Sequence, residues 1–344
     1  TSSHAGAASS FFSNEGFVFD NGPHVLCPKT ERIKNLFLDS VDHQVECFPL
    51  RTNNYWKGYW IKHPVMLNLH GLPGRIVKNT ITELREIKEE EKALAPNLKA
   101  WLYAVFGQTL AENFFLKYIQ KHYTTSADNI EVQKMEPLFQ RTDFNDVLFA
   151  FINRKRQKTP PPPCHYYPTA GGFVRFLDKF ASKVPVTTGH QVISIDADRK
   201  ILFFENGRIK KYDYLISSIP LPELIKLIMR VPYQIKSATA KLAHTSCILV
   251  NIGIDRKIFP KTHVTYFHDP DIIFSKLSFP HMFSPHNAPN GCESIQAEIH
   301  FSKKYRPLYL EAERFIEPTI NSLVRCGLLR ESDNIIFKDA RLVS

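Results

Sequence analysis

Gly16-Phe17-Val18-Phe19-Asp20-Asn21-Gly22-Pro23-His24-Val25 decides the fold, together with a distant stretch, Val192–Pro220. In the first, Phe17 and Phe19 alternate with Val18 and Asp20, the period of a half-buried strand. Residues 11–26 read as two short strands joined at Asn14-Glu15-Gly16. The turn Asp20-Asn21-Gly22-Pro23-His24 follows. Gly22 lets the backbone approach a flat ring closely, Pro23 stiffens the turn, and His24 is placed to donate a hydrogen bond or tune charge. A tight turn with a surface histidine would carry the same residues.

In the second stretch, Val192–Ile195 reads as a strand. Ile201–Glu205 and Arg208–Tyr212 flank Asn206-Gly207, a strong hairpin signal. Tyr214–Ile219 reads as an apolar strand closed by Pro220. An ordinary β-meander is the alternative. Between the two stretches, Thr30–Leu38 is expected as a helix capped by Thr30, and residues 45–64 as short aromatic-rich strands. Thr80–Leu94, Asn97–Phe106 and Leu110–His122 have helical spacing. Pro160–Pro163 is a stiff connector, and Phe173–Ser182 a helix opened by Gly171-Gly172. Leu221–Val231 and Tyr309–Arg325 read as further helices. Cys247–Ile254, His263–Phe267 and Ser294–His300 read as strands of a mostly antiparallel sheet, and Asn334–Val343 as extended chain.

The chain has 344 residues, room for two domains or one with a large insertion, and 43% are hydrophobic, enough for a substantial core. No apolar run has the roughly 18 residues of a membrane-spanning helix. Thr1 in place of Met, and the abrupt ends, read as an internal fragment. Six cysteines lack zinc-knuckle or dithiol spacing and are expected as reduced thiols of a cytoplasmic protein. The net charge of +10 suits an anionic small molecule; nucleic acid is not indicated, because the basic residues are scattered and the run Arg154–Lys158 reads as a solvated linker. His63, His70, His122 and His165 lack partners at metal-ligand spacing, so no metal is expected. Glu89–Glu91 reads as a solvated helix face, and Trp56 and Trp60 as core or lid aromatics.

The order of these segments resembles the flavin-containing amine oxidoreductase superfamily, with the protoporphyrinogen-oxidase-like and UDP-galactopyranose-mutase-like branches most similar. Ser3–Ser10, Gly16–Val25, Tyr118–Tyr123, Tyr167–Phe173 and Val192–Pro222 carry the resemblance, which covers roughly residues 1–225 with recognisable motifs. It departs mildly at Ala5-Gly6-Ala7, where the family has two glycines, and at Gly22-Pro23-His24, where it often has Gly-Gly-His or Gly-Ala-His. The resemblance implies an α/β plus α+β, two-dinucleotide-binding-domain flavoprotein fold. Residues 1–50 and 165–232 would form a partial, Rossmann-type FAD domain, residues 51–164 a mainly helical substrate or lid region, and residues 233–344 a truncated antiparallel-sheet substrate domain. No Gly-x-Gly-x-x-Gly occurs, so the resemblance places the phosphate-binding loop upstream of Thr1 and leads to a fragment that binds FAD poorly and is inactive by itself.

The same resemblance assigns Gly6, Asp20, Gly22, Pro23, His24, Val192, Ser217, Ser218 and Pro220 to FAD, with His24 catalytic. It assigns Tyr118, Lys121, Arg141, Tyr167, Gly171 and Gly172 to substrate, with Arg175 second to Arg141 as a diphosphate ligand. Two reactions stay open. One is hydride transfer from a small organic substrate to flavin N5. The other is a non-redox mutase acting on a nucleotide sugar, whose Tyr-x-x-Lys-x-Trp pattern is met by Tyr118–Tyr123 with Tyr123 in place of tryptophan. A third option, from a different class, is a catalytically empty scaffold. Substrate identity, electron acceptor and oligomeric state are not legible.

Overall fold

A computed structural model describes residues 6–87, 94–139, 143–153, 163–258 and 261–343. Arg141, Glu89–Glu91, Arg154–Lys158 and most of the proline run lie outside the described residues.

The first motif forms the expected antiparallel pair, β1 (Ser10–Phe12) and β2 (Val18–Asp20), with Phe11 opposite Phe19. Helix Glu31–Ser40 follows, its amide at Ile33 donating to the Thr30 hydroxyl 3.3 Å away. β3 (Val45–Pro49) pairs with β6 (Cys164–Pro168) in a two-stranded ribbon. The chain therefore leaves for its helical region and returns from it at adjacent points.

The main sheet has seven strands. β4 (Thr52–Trp56), β5 (Tyr59–Lys62), β10 (Ser246–Ile254), β11 (Val264–Phe267), β12 (Lys276–Ser278), β13 (Glu293–Phe301) and β14 (Ile335–Val343) lie in the order β14-β10-β13-β12-β11-β4-β5. The β4–β11 pair is parallel and the others are antiparallel. β4 and β5 thus tie the region after residue 50 into the sheet built by the C-terminal third. One face carries Ile248, Val250 and Ile252 of β10 and Ile295, Ala297 and Ile299 of β13, packed with Phe267, Phe274 and Leu323 in the largest core. The other face carries Asn251, Ser294, Gln296, Glu298 and His300, and it is buried as well.

A second core joins Trp56 and Ile61 to the helices Gly74–Glu86 and Leu98–Leu110. The first begins six residues before the expected Thr80, directly behind Pro73, whose fixed φ suits a helix start. The expected helix Leu110–His122 is a π-turn, Ala111–Phe115, continued by an α-helix, Leu116–His122. The expected Tyr309–Arg325 helix is regular only over Ile316–Arg325, preceded by a 3-10 turn at Ala312–Phe315; Tyr309 and Leu310 face outward and have nothing to pack on.

Two expectations are corrected. Cys47 and Cys164 are joined in a disulfide, because the β3–β6 register sets their Cα atoms 5.9 Å apart; the other four thiols are free. Tyr214–Ile219 is not a ladder strand. The three-stranded sheet of β7 (Val192–Asp196), β8 (Ile201–Phe204) and β9 (Ile209–Lys211) ends before it, and Tyr214 and Ile216 are 93% and 97% exposed. Apolar character alone does not make a strand when no neighbour offers backbone partners.

Gly253 of β10 shows how closely the first motif seats on the sheet. A Cβ there would stand 2.4 Å from the Phe17 ring. Gly253→Ala should cost about 1–3 kcal/mol, read as a lower urea midpoint. Phe17→Leu in the same chain should recover part of that loss, and additive losses would refute the contact.

Candidate functional site

The Asp20 carboxylate is the centre of the first motif. It is 6% exposed and collects three donors: the Ser10 hydroxyl at 2.6 Å, the Tyr167 hydroxyl at 2.8 Å and the Phe173 amide at 3.0 Å. Burial pushes its pKa above the usual carboxylate range, and the Ser10, Phe173 and Tyr167 hydrogen bonds oppose that. Gly172 lies against it with φ +74; a Cβ there would meet the Ser10 Oγ at 2.3 Å and Asp20 Oδ1 at 3.2 Å. Residues from three places in the sequence therefore close on one carboxylate. Asp20, Tyr167 and Gly172, expected in the site, are together. Tyr167 spends its hydroxyl on Asp20, and Gly171 packs on the Arg175 side chain.

The turn beyond Asp20 is fixed from both sides. The Asn21 amide donates to the Ser9 carbonyl at 2.9 Å, and its side chain reaches the Gly6 carbonyl at 3.5 Å. His24 Nδ1 lies 2.7 Å from the Gly22 carbonyl, which makes Nδ1 the donor of that hydrogen bond. Its ring is 5.3 Å from Phe173. Gly22 has φ +88 and nothing within 4 Å of an added Cβ. An open glycine face beside a pinned imidazole fits the flat end of a flavin.

Gln296 supports the turn from below. Its Nε2 donates to the Asp20 carbonyl at 2.8 Å and to Asn251 Oδ1 at 2.9 Å, and Asn251 meets Asp339, which Arg341 holds at 2.6 Å. Sequence reading missed this row. Ser294, Gln296, Glu298 and His300 alternate with apolar residues along β13, a pattern that ordinarily marks a solvent face.

Tyr118 and Lys121 sit on helix Leu116–His122, over the same polar face. Tyr118 stacks on His122, with ring centres 5.1 Å apart, and meets Tyr266 edge-on. Lys121 donates to the Phe267 and Asp269 carbonyls at 3.2 and 3.0 Å, and burial pulls its pKa down to about 7. His122 comes within reach of Glu298 and His300, a grouping of metal-ligand type that sequence spacing did not reveal. Lys276 already supplies the positive charge there, 2.7 Å from Glu298. Burial acts to lower the Lys276 pKa, and the Glu298 carboxylate more than offsets it. Val192 begins β7 of the three-stranded sheet, and Ser217, Ser218 and Pro220 lie between β9 and helix Leu221–Leu227; both serines are exposed and Ser217 Oγ accepts from the Ile219 amide.

The family model for flavin-containing amine oxidoreductases matches residues 6–308. The chain belongs to this family. Among solved structures, a reduced UDP-galactopyranose mutase superposes with a TM-score of 0.87 at 22% identity, covering 98% of this chain and 75% of that one. A candidate protoporphyrinogen oxidase from Exiguobacterium sp. 255-15 gives 0.71 at 12%, covering 98% and 78%. A redesigned putrescine oxidase gives 0.57 at 13%, covering 97% and 76%. At such identities the likeness establishes the fold: the mixed, two-dinucleotide-binding-domain flavoprotein architecture. The amine oxidoreductase family is a flavoenzyme family, so its cofactor is a flavin. No helix among the described residues is long and apolar enough to cross a membrane.

Two outcomes test this geometry. Gly22→Ala, strained but unobstructed, should cost about 1 kcal/mol, whereas Gly172→Ala should cost at least about 2 kcal/mol more because it also collides. Equal urea midpoints would refute the close approach at Gly172. The second outcome concerns pH. Burial lowers the pKa of His122, His263 and His281 to about 4 and of His268 to about 3. Above pH 6.5 both folded and unfolded states hold these rings neutral. Below it the unfolded chain takes protons that the folded one refuses, so stability falls as pH drops from 6.5 toward 4. The slope at pH 5 should correspond to roughly two or more protons taken up on unfolding, and a flat profile would contradict it.

Proposed function

We propose that this protein serves an FAD-dependent oxidoreductase in which a small organic substrate gives hydride to flavin N5. The observation that carries the reading is the pinned turn: Gly22 presents an open backbone face, and His24 stands beside it with Nε2 free. FAD supplies the hydride acceptor; the protein supplies placement. In this reading Gly22 and Pro23 bear on the ring, and His24 donates to it or tunes its charge. Asp20, held by Ser10, Tyr167 and the Phe173 amide, keeps the turn in place. Gly6 lies toward the ribose and pyrophosphate, Val192 toward the adenine, and Ser217, Ser218 and Pro220 back against the cofactor. Residues 1–50 and 165–232 belong to the FAD part, with the remainder enclosing an anionic small molecule near Tyr118, Lys121 and Arg141. A cytoplasmic location completes the reading.

A second reading is a nucleotide-sugar mutase. It is favoured by the closeness of the fold to the reduced UDP-galactopyranose mutase and by the Tyr118–Lys121 helix over the polar sheet face. One experiment separates the two. The full-length protein is purified, its flavin is reduced anaerobically, and UDP-galactopyranose is added. Furanose product without net electron consumption would replace the first reading with the second; a preparation holding no flavin would overturn both. His24→Ala should shift the flavin spectrum or its midpoint potential with the fold intact by circular dichroism, and an unchanged spectrum and potential would remove His24 from the site.

A further inference from the structure

The Cys47–Cys164 bond lies at a point of mechanical consequence. β3 and β6 carry the chain into and out of residues 50–163, and the cross-link closes a loop of sequence separation 117. Two positions beyond Cys164 in the chain, on β6, Tyr166 exchanges backbone hydrogen bonds with Leu26, at 2.9 Å each way. The next residue is Tyr167, the donor to Asp20. The disulfide therefore braces the ribbon that delivers one of the three hydrogen bonds to the Asp20 carboxylate.

The bond is also within reach of reagents. Cys47 is exposed and Cys164 half-buried, and both sit in a ribbon of only two strands. By contrast, Cys326 is buried in the largest core, and burial raises the pKa of the Cys247 and Cys326 thiols. Disulfides that persist among reduced thiols in a cytoplasm are usually transient or redox-sensing.

We infer that Cys47–Cys164 is a reversible thiol–disulfide site, acted on by a dithiol reductant of the thioredoxin class, whose opening loosens the β3–β6 ribbon and the Tyr167–Asp20 link. The step is an exchange. A thiolate of the dithiol attacks one sulfur, the S–S bond breaks, and the leaving thiolate takes a proton. The second thiol then resolves the mixed disulfide, so the chain gains two thiols and the dithiol becomes a disulfide. The inference rests on the cytoplasmic location proposed above but not on the reaction, because its readout needs no flavin.

The test labels thiols of the native protein and locates the labels by mass spectrometry. Protein isolated without reductant should label at Cys27 and leave Cys47 and Cys164 unlabelled; thioredoxin with its reductase should then open both to label while the protein stays folded. Backbone amide exchange across Val45–Pro49, Cys164–Pro168 and Val18–Asp20 should speed at least severalfold on reduction, with β10 and β13 unchanged. The melting temperature should fall by roughly 5 °C and return on reoxidation. Cys47→Ser should reproduce the reduced exchange pattern and ignore the dithiol; reduction of the wild-type protein gives the same measurement should that variant fold poorly. Free Cys47 and Cys164 in the non-reduced protein, resistance of the bond in the folded state, or exchange unchanged on reduction would each overturn the inference.

Discussion

A single buried carboxylate organises the molecule. Asp20 is removed from water, and its charge is tolerable only because hydroxyls and an amide from distant parts of the chain converge on it. Each donor brings its own element: Ser10 brings β1, Tyr167 brings the β3–β6 ribbon, and the Phe173 amide brings the loop before helix Arg175–Ala181. Gly172 follows from the same demand, since the loop must come too near for any side chain. The carboxylate thus acts less as a reagent than as a fixing point for the Gly22–His24 turn.

That turn in turn depends on the sheet. Burying a row of polar side chains on one sheet face is costly unless each finds a partner. Here the partners come from the seated turn and from neighbouring strands: Gln296 has the Asp20 carbonyl and Asn251, Glu298 has Lys276, and His300 has Ser275 at 3.1 Å. His268 is kept neutral in the same way. Its Nδ1 lies 3.0 Å from the Phe114 carbonyl and its Nε2 3.0 Å from the Asn54 Oδ1, and burial lowers its pKa to about 3.

Much of this was legible from local pattern. The Phe17–Asp20 alternation, the Asn206-Gly207 hairpin, the Thr30 cap and the strand at Cys247–Ile254 all follow from short-range physics, and each element formed. The family resemblance likewise singled out Asp20, Tyr167 and Gly172 before their contact was visible. What stayed hidden was non-local. A polar row on β13 looks the same in sequence whether it meets water or a buried turn. The joining of Cys47 to Cys164 depends on a strand register set across the helical region. Tyr214–Ile219 failed in the opposite sense, apolar enough for a strand but without a paired neighbour.

The hydrogen bond between Gln296 and the Asp20 carbonyl spans a sequence separation of 276. On the ribosome, at about 5–20 residues per second, roughly 14–55 s pass between the emergence of the two residues. Throughout that interval the nascent polypeptide must carry Asp20 without its floor, in contact with water or with a chaperone. Translation therefore delivers the turn well before its support, so the turn is completed only when β13 has been made.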